Sequence, residues 1–155
     1  MSRGAGARGD RGSASIELVI LAPAFLLVVM LLVMAGRLAI AQQTMEQVAF
    51  ESARAASLSR VSYEARSVAV GTAEHEVRAQ ALRCTDTPEV ELNNVEAFSA
   101  PPGEASNVEV TVRCRVDMAD LAIPGTPGSV TVESTQISPI DTYRGRGVGG
   151  GGAGP

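Results

Sequence analysis

The sequence predicts an α+β fold, in which a long N-terminal transmembrane helix continues into an extracytoplasmic helix and is followed by a second helix and a small antiparallel sheet of about three strands. Three observations support this class. Residues 18–35 form an uncharged apolar run, small and apolar residues then recur at spacings of three and four, and apolar and polar residues alternate strictly from residue 108 to residue 117.

The apolar run has the length of a membrane span. A helix over residues 18–35 rises roughly 27 Å at about 1.5 Å per residue, close to a hydrocarbon core of about 30 Å. Arg3, Arg8 and Arg11 precede the run, and Arg37 follows it closely. The positive-inside bias therefore predicts a single-pass protein of the cytoplasmic (inner) membrane, with a cytoplasmic N-terminus and an extracytoplasmic C-terminal domain.

Two other interpretations of this run remain open. It is long for the core of a cleaved secretory signal, but Ala39-Ile40-Ala41 resembles a signal-cleavage site, and a secreted domain would then begin near Gln42. Alternatively, the run is a plain anchor for an extracytoplasmic binding domain that is never processed, with the Glu17 carboxylate near the lipid headgroups.

Glu17, at the cytoplasmic start of the run, requires a partner. A charge at the bilayer centre costs roughly 2.5–3.5 kcal/mol or more, and less near the edge. Cleavage between Gly12 and Ser13 would create an α-ammonium group at Ser13, four residues before Glu17 and on the same helix face. That amine could pair with Glu17 of its own chain or of a neighbouring chain.

Gly12, then Ser13-Ala14-Ser15-Ile16, Glu17 and an apolar helix together resemble the processing site of type IV prepilins. The longer string, which extends through Pro23, more closely resembles the TadE-like pseudopilins of the tight-adherence (Flp pilus) system. This resemblance implies a minor pseudopilin-like structural protein of such a pilus or of a related secretion assembly. It also implies that a prepilin peptidase cuts after Gly12 and that Glu17 acts in assembly.

The role of Pro23 has two interpretations. Proline is tolerated in membrane helices, where it removes one backbone hydrogen bond and can bend the helix, here near Val19. The bend is either incidental, or it helps subunits to leave the bilayer and pack in an assembly.

Four segments are expected along the chain: a cleaved cytoplasmic leader (1–12), a transmembrane and assembly helix (13–37), an extracytoplasmic α+β domain (38–143) and a flexible Gly-rich tail (144–155). Within the domain, Ser62 is expected to cap a second helix from Tyr63 to about Leu82. Each helix is expected to carry a stripe of small and apolar residues: Leu38, Ala41, Met45, Val48, Ser52 and Ala55 in the first, and Ala65, Val68, Ala69, Thr72, Ala73, Val77 and Ala81 in the second. The first stripe is expected to pack on the protein's own domain, on partner helices in an assembly, or on both.

Three strands are expected after the second helix. Val108, Val110, Val112, Cys114 and Val116 alternate with polar residues, which is typical of a strand with one buried face. Weaker strands are expected at 89–95 and 130–137, with turns at 100–103 and 123–128 between the strands.

The two cysteines, Cys84 and Cys114, are expected to form a disulfide, because residues beyond about 40 would lie in an oxidising compartment. The alternative is two separate buried thiols. A metal site is not expected, since two cysteines without a nearby histidine do not complete a tetrahedral set.

Nothing in the sequence suggests catalysis or a cofactor. His75 is the single histidine, lies between two glutamates and is expected to be solvated, and no glycine-rich phosphate motif precedes a helix. The net charge of -4 argues against nucleic acid. The expected partners are the membrane, a prepilin peptidase, other pilin or pseudopilin subunits and pilus assembly proteins.

Overall fold

The computed structural model describes residues 10–101, 103–119 and 128–141, with side chains from Glu17 onward. The expected leader residues 1–9, the turn residues 123–127 and the tail 144–155 lie outside this part of the chain. The elements, in order, are α1 (Asp10–Ser57), α2 (Ser62–Ala79), β1 (Glu89–Asn93), a short 3-10 helix η1 (Val95–Ser99), β2 (Ser106–Asp117) and β3 (Ser129–Ile140). The α+β class is confirmed, as are the long first helix and the three-stranded antiparallel sheet.

The chain divides into two compact units, Met1–Arg37 and Leu38–Pro155. In the first unit, α1 begins at Asp10, inside the expected leader, and continues through Pro23. Every side chain from residue 17 to residue 33 is exposed. The apolar run therefore has no protein partner within this unit over the described residues.

The second unit is built around the remainder of α1. The expected stripe is largely buried, with Ala41, Met45, Val48 and Ser52 at 4% exposure or less, whereas Ala55 is only half-buried. The buried surface is wider than expected because three further alanines, Ala49, Ala53 and Ala56, join the same core.

Two expectations about α2 are wrong. Ser62 is its first helical residue rather than its cap; Val61 occupies the cap position with an extended backbone and makes no side-chain capping bond. The helix also ends at Ala79 instead of Leu82, because Ala81 adopts a left-handed φ of 53°. The amide of Leu82 then donates to the Val77 carbonyl, 3.1 Å away, which is the pairing of a Schellman helix end.

The stripe of α2 is narrower than expected. Ala65, Ala69, Ala73 and Val77, spaced by four, are buried. Val68 and Ala81 are exposed, which also departs from the expectation. These four residues form the buried row of α2, and Val70, beside them, is partly buried against the core.

The strands pair in the order β1-β2-β3, with β2 at the centre. The β2–β3 ladder runs without interruption from Ser106↔Ile140 to Asp117↔Ser129, and β1 pairs with β2 from Glu89↔Arg113 to Asn93↔Glu109. The alternation predicted for β2 is confirmed: Val108, Val110, Val112, Cys114 and Val116 all face the core. β3 is longer than the predicted 130–137 because it pairs along the full length of β2.

The predicted extension of β1 to Val95 is wrong. Asn94 has a left-handed φ of 59°, and its side-chain Nδ2 donates to the Asn107 carbonyl at 2.6 Å. This turn ends the strand and begins η1, which buries Ala97 and Phe98. Gly103, in the next turn, has a φ of 93°, a conformation that favours glycine.

Candidate functional site

The residues expected to direct processing and assembly lie at the start of α1. The backbones of Gly12 and Ser13 are helical, and Glu17 follows one turn later with an exposed side chain. Pro23 lies in the helix interior, where it cannot donate a hydrogen bond to the Val19 carbonyl. Ser13 and Glu17 are four residues apart in one helix, so they share a face.

The helix beyond Glu17 has the properties of a membrane span. Within the described residues, one helix is long and apolar enough to cross a bilayer, with a mean hydropathy of 3.0 in its most apolar window. Its large side chains are open to their surroundings, for example Leu18 at 70% and Phe25 at 69% exposure. An apolar surface this extensive is stable in lipid or against other apolar helices and unfavourable in water.

The second feature is a disulfide bond at the end of α2. A disulfide joins Cys84 to Cys114, with their Cα atoms 5.7 Å apart. Around it, the segment after α2 pairs with the end of β2, since the Thr85 amide donates to the Arg115 carbonyl at 2.7 Å and the Asp117 amide donates to the Arg83 carbonyl at 3.0 Å. The disulfide therefore ties the end of α2 to the central strand.

The third feature is a charged network on the solvent face of the sheet. The Arg113 guanidinium donates to both carboxylate oxygens of Glu133, at 2.8 and 3.4 Å, and to Glu91 at 3.3 Å, so it spans all three strands. The hydrogen bond to Glu133, followed by the charges of Glu133 and Glu91, raises the pKa of Arg113. The hydrogen bond from Arg113 lowers the pKa of Glu133.

Sequence reasoning did not identify this network. The signal that could have found it is the alternation of charged residues on the polar face of β2, but the partners of Arg113 follow only from the register. It places Glu133 directly opposite Arg113 and Glu91 diagonally from it, opposite Thr111. The exposed network has the character of a cross-strand support for the sheet.

None of these three features has the chemistry of a catalytic centre. In the described ranges, no three or more His, Cys, Asp or Glu side chains form a group that could hold a metal ion. His75 is exposed on α2. The depression beside Arg113 and Arg115 is open to solvent and lined mostly by polar residues.

The comparison with protein families places the N-terminal region. The family model described as TadE-like protein matches residues 12–54. Over this segment the chain is TadE-like. The comparisons with curated proteins and with solved structures gave no match.

The TadE-like segment begins at Gly12 and ends at Arg54, so it covers most of α1 and none of α2 or the sheet. Together with the exposed apolar helix, it indicates a membrane protein related to the tight-adherence pilus. The family is structural rather than enzymatic in character. The apolar helix further suggests that the TadE-like segment is a single-pass membrane anchor.

Proposed function

We propose that this protein is a minor pseudopilin-like subunit of a tight-adherence (Flp-type) pilus or a related secretion assembly, and that a prepilin peptidase processes it after Gly12. The supporting observation is the TadE-like match, which starts at Gly12 itself and continues along a helix whose apolar side chains are exposed from residue 18 to residue 33. Inserted in the membrane with its leader in the cytoplasm, the chain is a substrate of the peptidase and a component of the assembly.

The position proposed for cleavage lies in a weakly held part of the helix. The Gly12–Ser13 peptide bond lies in the first turn of α1, where the leading amides have no partner within the helix. Glycine in a helix costs about 1 kcal/mol relative to alanine, so opening this turn for a peptidase costs little. Removal of the leader moves the start of the helix to Ser13 and keeps the whole apolar segment intact.

After cleavage, the new Ser13 ammonium and Glu17 are separated by one helical turn. The ammonium group at a helix N-terminus meets the positive end of the helix dipole, which disfavours it. A carboxylate at Glu17, on the same or a neighbouring chain, offsets this charge in a medium that hydrates neither group well. Glu17 is thereby the residue that links processing to assembly.

Processing is tested with the full-length chain in cells with and without a prepilin peptidase. We expect the wild-type protein to lose residues 1–12 only when the peptidase is present, and Gly12→Ala to keep them. Gly36→Ala is the matched control, because Gly36 is on the same helix and an added Cβ meets nothing within 4 Å. A wild-type chain that keeps its leader beside an active peptidase contradicts the proposal and favours an unprocessed, membrane-anchored binding domain.

Assembly is tested separately through Glu17. Glu17→Gln should still be cleaved but should be depleted from sheared pili or from the isolated assembly complex. Glu46→Gln, which changes an exposed glutamate farther along α1, is the control and should be incorporated normally. Equal incorporation of both variants would remove Glu17 from the assembly mechanism while leaving the processing proposal intact.

A further inference from the structure

Among the described residues, β3 forms one long edge of the sheet that no further strand covers. β1 and β3 both flank β2, but β1 has five residues, whereas β3 has twelve and pairs with β2 without a bulge. Proteins normally protect an edge of this length with lysines, bulges or a covering element. Glu133 is the only charged residue in β3.

The direction of the backbone groups along β3 follows from two sets of contacts. The Arg115 carbonyl and Asp117 amide bond to the segment at residues 83–85, on the β1 side of β2, whereas the Met118 amide bonds to the Gly128 carbonyl on the β3 side. The backbone N–H and C=O groups of odd-numbered residues of β2 therefore point toward β1, and those of even-numbered residues point toward β3. Even residues of β2 pair with even residues of β3. The backbone N–H and C=O groups of the even residues of β3 therefore point toward β2, and those of the odd residues point to the open edge.

A contact from α1 agrees with this assignment. Gln42 Nε2 donates to the Glu133 carbonyl at 3.4 Å, so this carbonyl faces away from β2. Pro139, which has no amide hydrogen, also occupies an odd position, the type of site that tolerates proline in an edge strand. The open amides are those of Thr131, Glu133, Thr135 and Ile137, and all four side chains are exposed.

We propose that β3 is a docking edge for an extended segment of a different polypeptide, which adds to the sheet as a fourth, antiparallel strand. The exposed side chains define the chemistry of this segment. Glu133 and Glu91 carry two negative charges against the single Arg113 that pairs with both, so a basic residue opposite Glu133 is favoured; Ile137, which is 58% exposed, favours an apolar residue opposite it. In an antiparallel strand this gives the order apolar, three residues, basic.

In the registers centred on Thr135 and on Glu133, a second copy of this chain fits the edge poorly. Two β3 strands paired about Thr135 would set Glu133 against Ile137, and pairing about Glu133 would set two carboxylates against each other.

The proposal is tested by amide hydrogen exchange on the full-length, isotope-labelled protein in detergent micelles. The probe is a capped synthetic peptide, Ser-Val-Thr-Thr-Ser-Arg-Val-Thr, which places valine opposite Ile137 and arginine opposite Glu133. We expect it to slow exchange at the odd positions from Thr131 to Ile137 by about tenfold or more, with little effect on the even positions, which are already bonded to β2. A control peptide with that arginine and the first valine exchanged should bind at least about tenfold more weakly.

Variants at Thr135 separate pairing from other contacts. Thr135→Pro removes one open amide without removing a bond to β2 and should abolish the protection, whereas Thr135→Val keeps the amide and should retain it. Both variants lose the hydroxyl contact with Thr111, so that loss cannot explain a difference.

Three results would overturn the proposal. The first is no protection by either peptide, and the second is equal protection by both, which would refute the stated side-chain recognition. The third is protection of the odd amides in the protein alone: dependence on protein concentration would assign the edge to a second copy, and independence would assign it to the chain's own residues. None of these outcomes depends on processing at Gly12.

Discussion

Removal of the Cys84–Cys114 disulfide should lower the stability of the second unit by a predictable amount. The two cysteines are 30 residues apart in sequence. On the chain-entropy relation, closing a loop of this length removes about 12 cal/mol/K from the unfolded chain, or roughly 3.6 kcal/mol at 25 °C. The small, alanine-rich core has little surplus apolar burial with which to compensate.

The perturbation is the double variant Cys84→Ala/Cys114→Ala in the full-length chain, assayed by pulse proteolysis across a urea gradient in detergent micelles. We expect the variant to fold, because the backbone bonds around Thr85 and Asp117 remain, and its free energy of unfolding to fall by about 3–4 kcal/mol. Reduction of the wild-type protein should reproduce this loss. A loss below about 1 kcal/mol, or two thiols that label freely in the unreduced native protein, would refute the reasoning.

Three further predictions use the same urea assay. Ala81→Gly should raise the free energy of unfolding by about 0.5–1 kcal/mol, because Ala81 has a left-handed φ of 53°. The control Ala79→Gly, at the exposed end of α2, should lower it by up to about 1 kcal/mol. A loss of stability in Ala81→Gly would contradict the helix-end geometry. Ala69→Leu should destabilise by about 1–3 kcal/mol because the side chain is fully buried, and Ala79→Leu should be nearly neutral; equal effects would place Ala69 outside the core. Since Arg113 lowers the pKa of Glu133 below its ordinary value of 4.5, this pair stabilises the fold above that pH, and the stability should be lost as the pH falls through the folded pKa; a Glu133→Gln variant with an unchanged acid limb would contradict this.

The fold could be predicted from the sequence where the local residue pattern and the tertiary packing agree. The alternation from Val108 to Val116 predicted both the position of β2 and its buried face, because side chains on a strand alternate between faces. The spacing of small residues predicted the buried side of α1 beyond Leu38.

The features that sequence reasoning missed depend on pairing or on single backbone angles. Ser138 and Pro139 are poor strand residues, yet they belong to β3 because the register holds them opposite Val108 and Asn107. The short helix η1 follows from the left-handed turn at Asn94, a conformation that asparagine tolerates but does not require. Ala81 ends α2 in a left-handed conformation that glycine usually adopts at this position, so the sequence does not indicate it.

The candidate site was predicted for a different reason. The carboxylate of Glu17 beside an apolar run is unfavourable without a partner, so its position in the sequence predicts a functional role for this region, and that role stays a prediction. The partners of Arg113, by contrast, come from three strands, and no local pattern in the sequence reveals that they meet.

The most direct test of the central proposal is the N-terminal residue of the protein isolated from membranes that contain an active prepilin peptidase. The proposal predicts a chain that begins at Ser13. A chain that begins at Met1 would contradict it and leave a plain membrane anchor, and a chain that begins near Gln42 would contradict it in favour of a secreted domain.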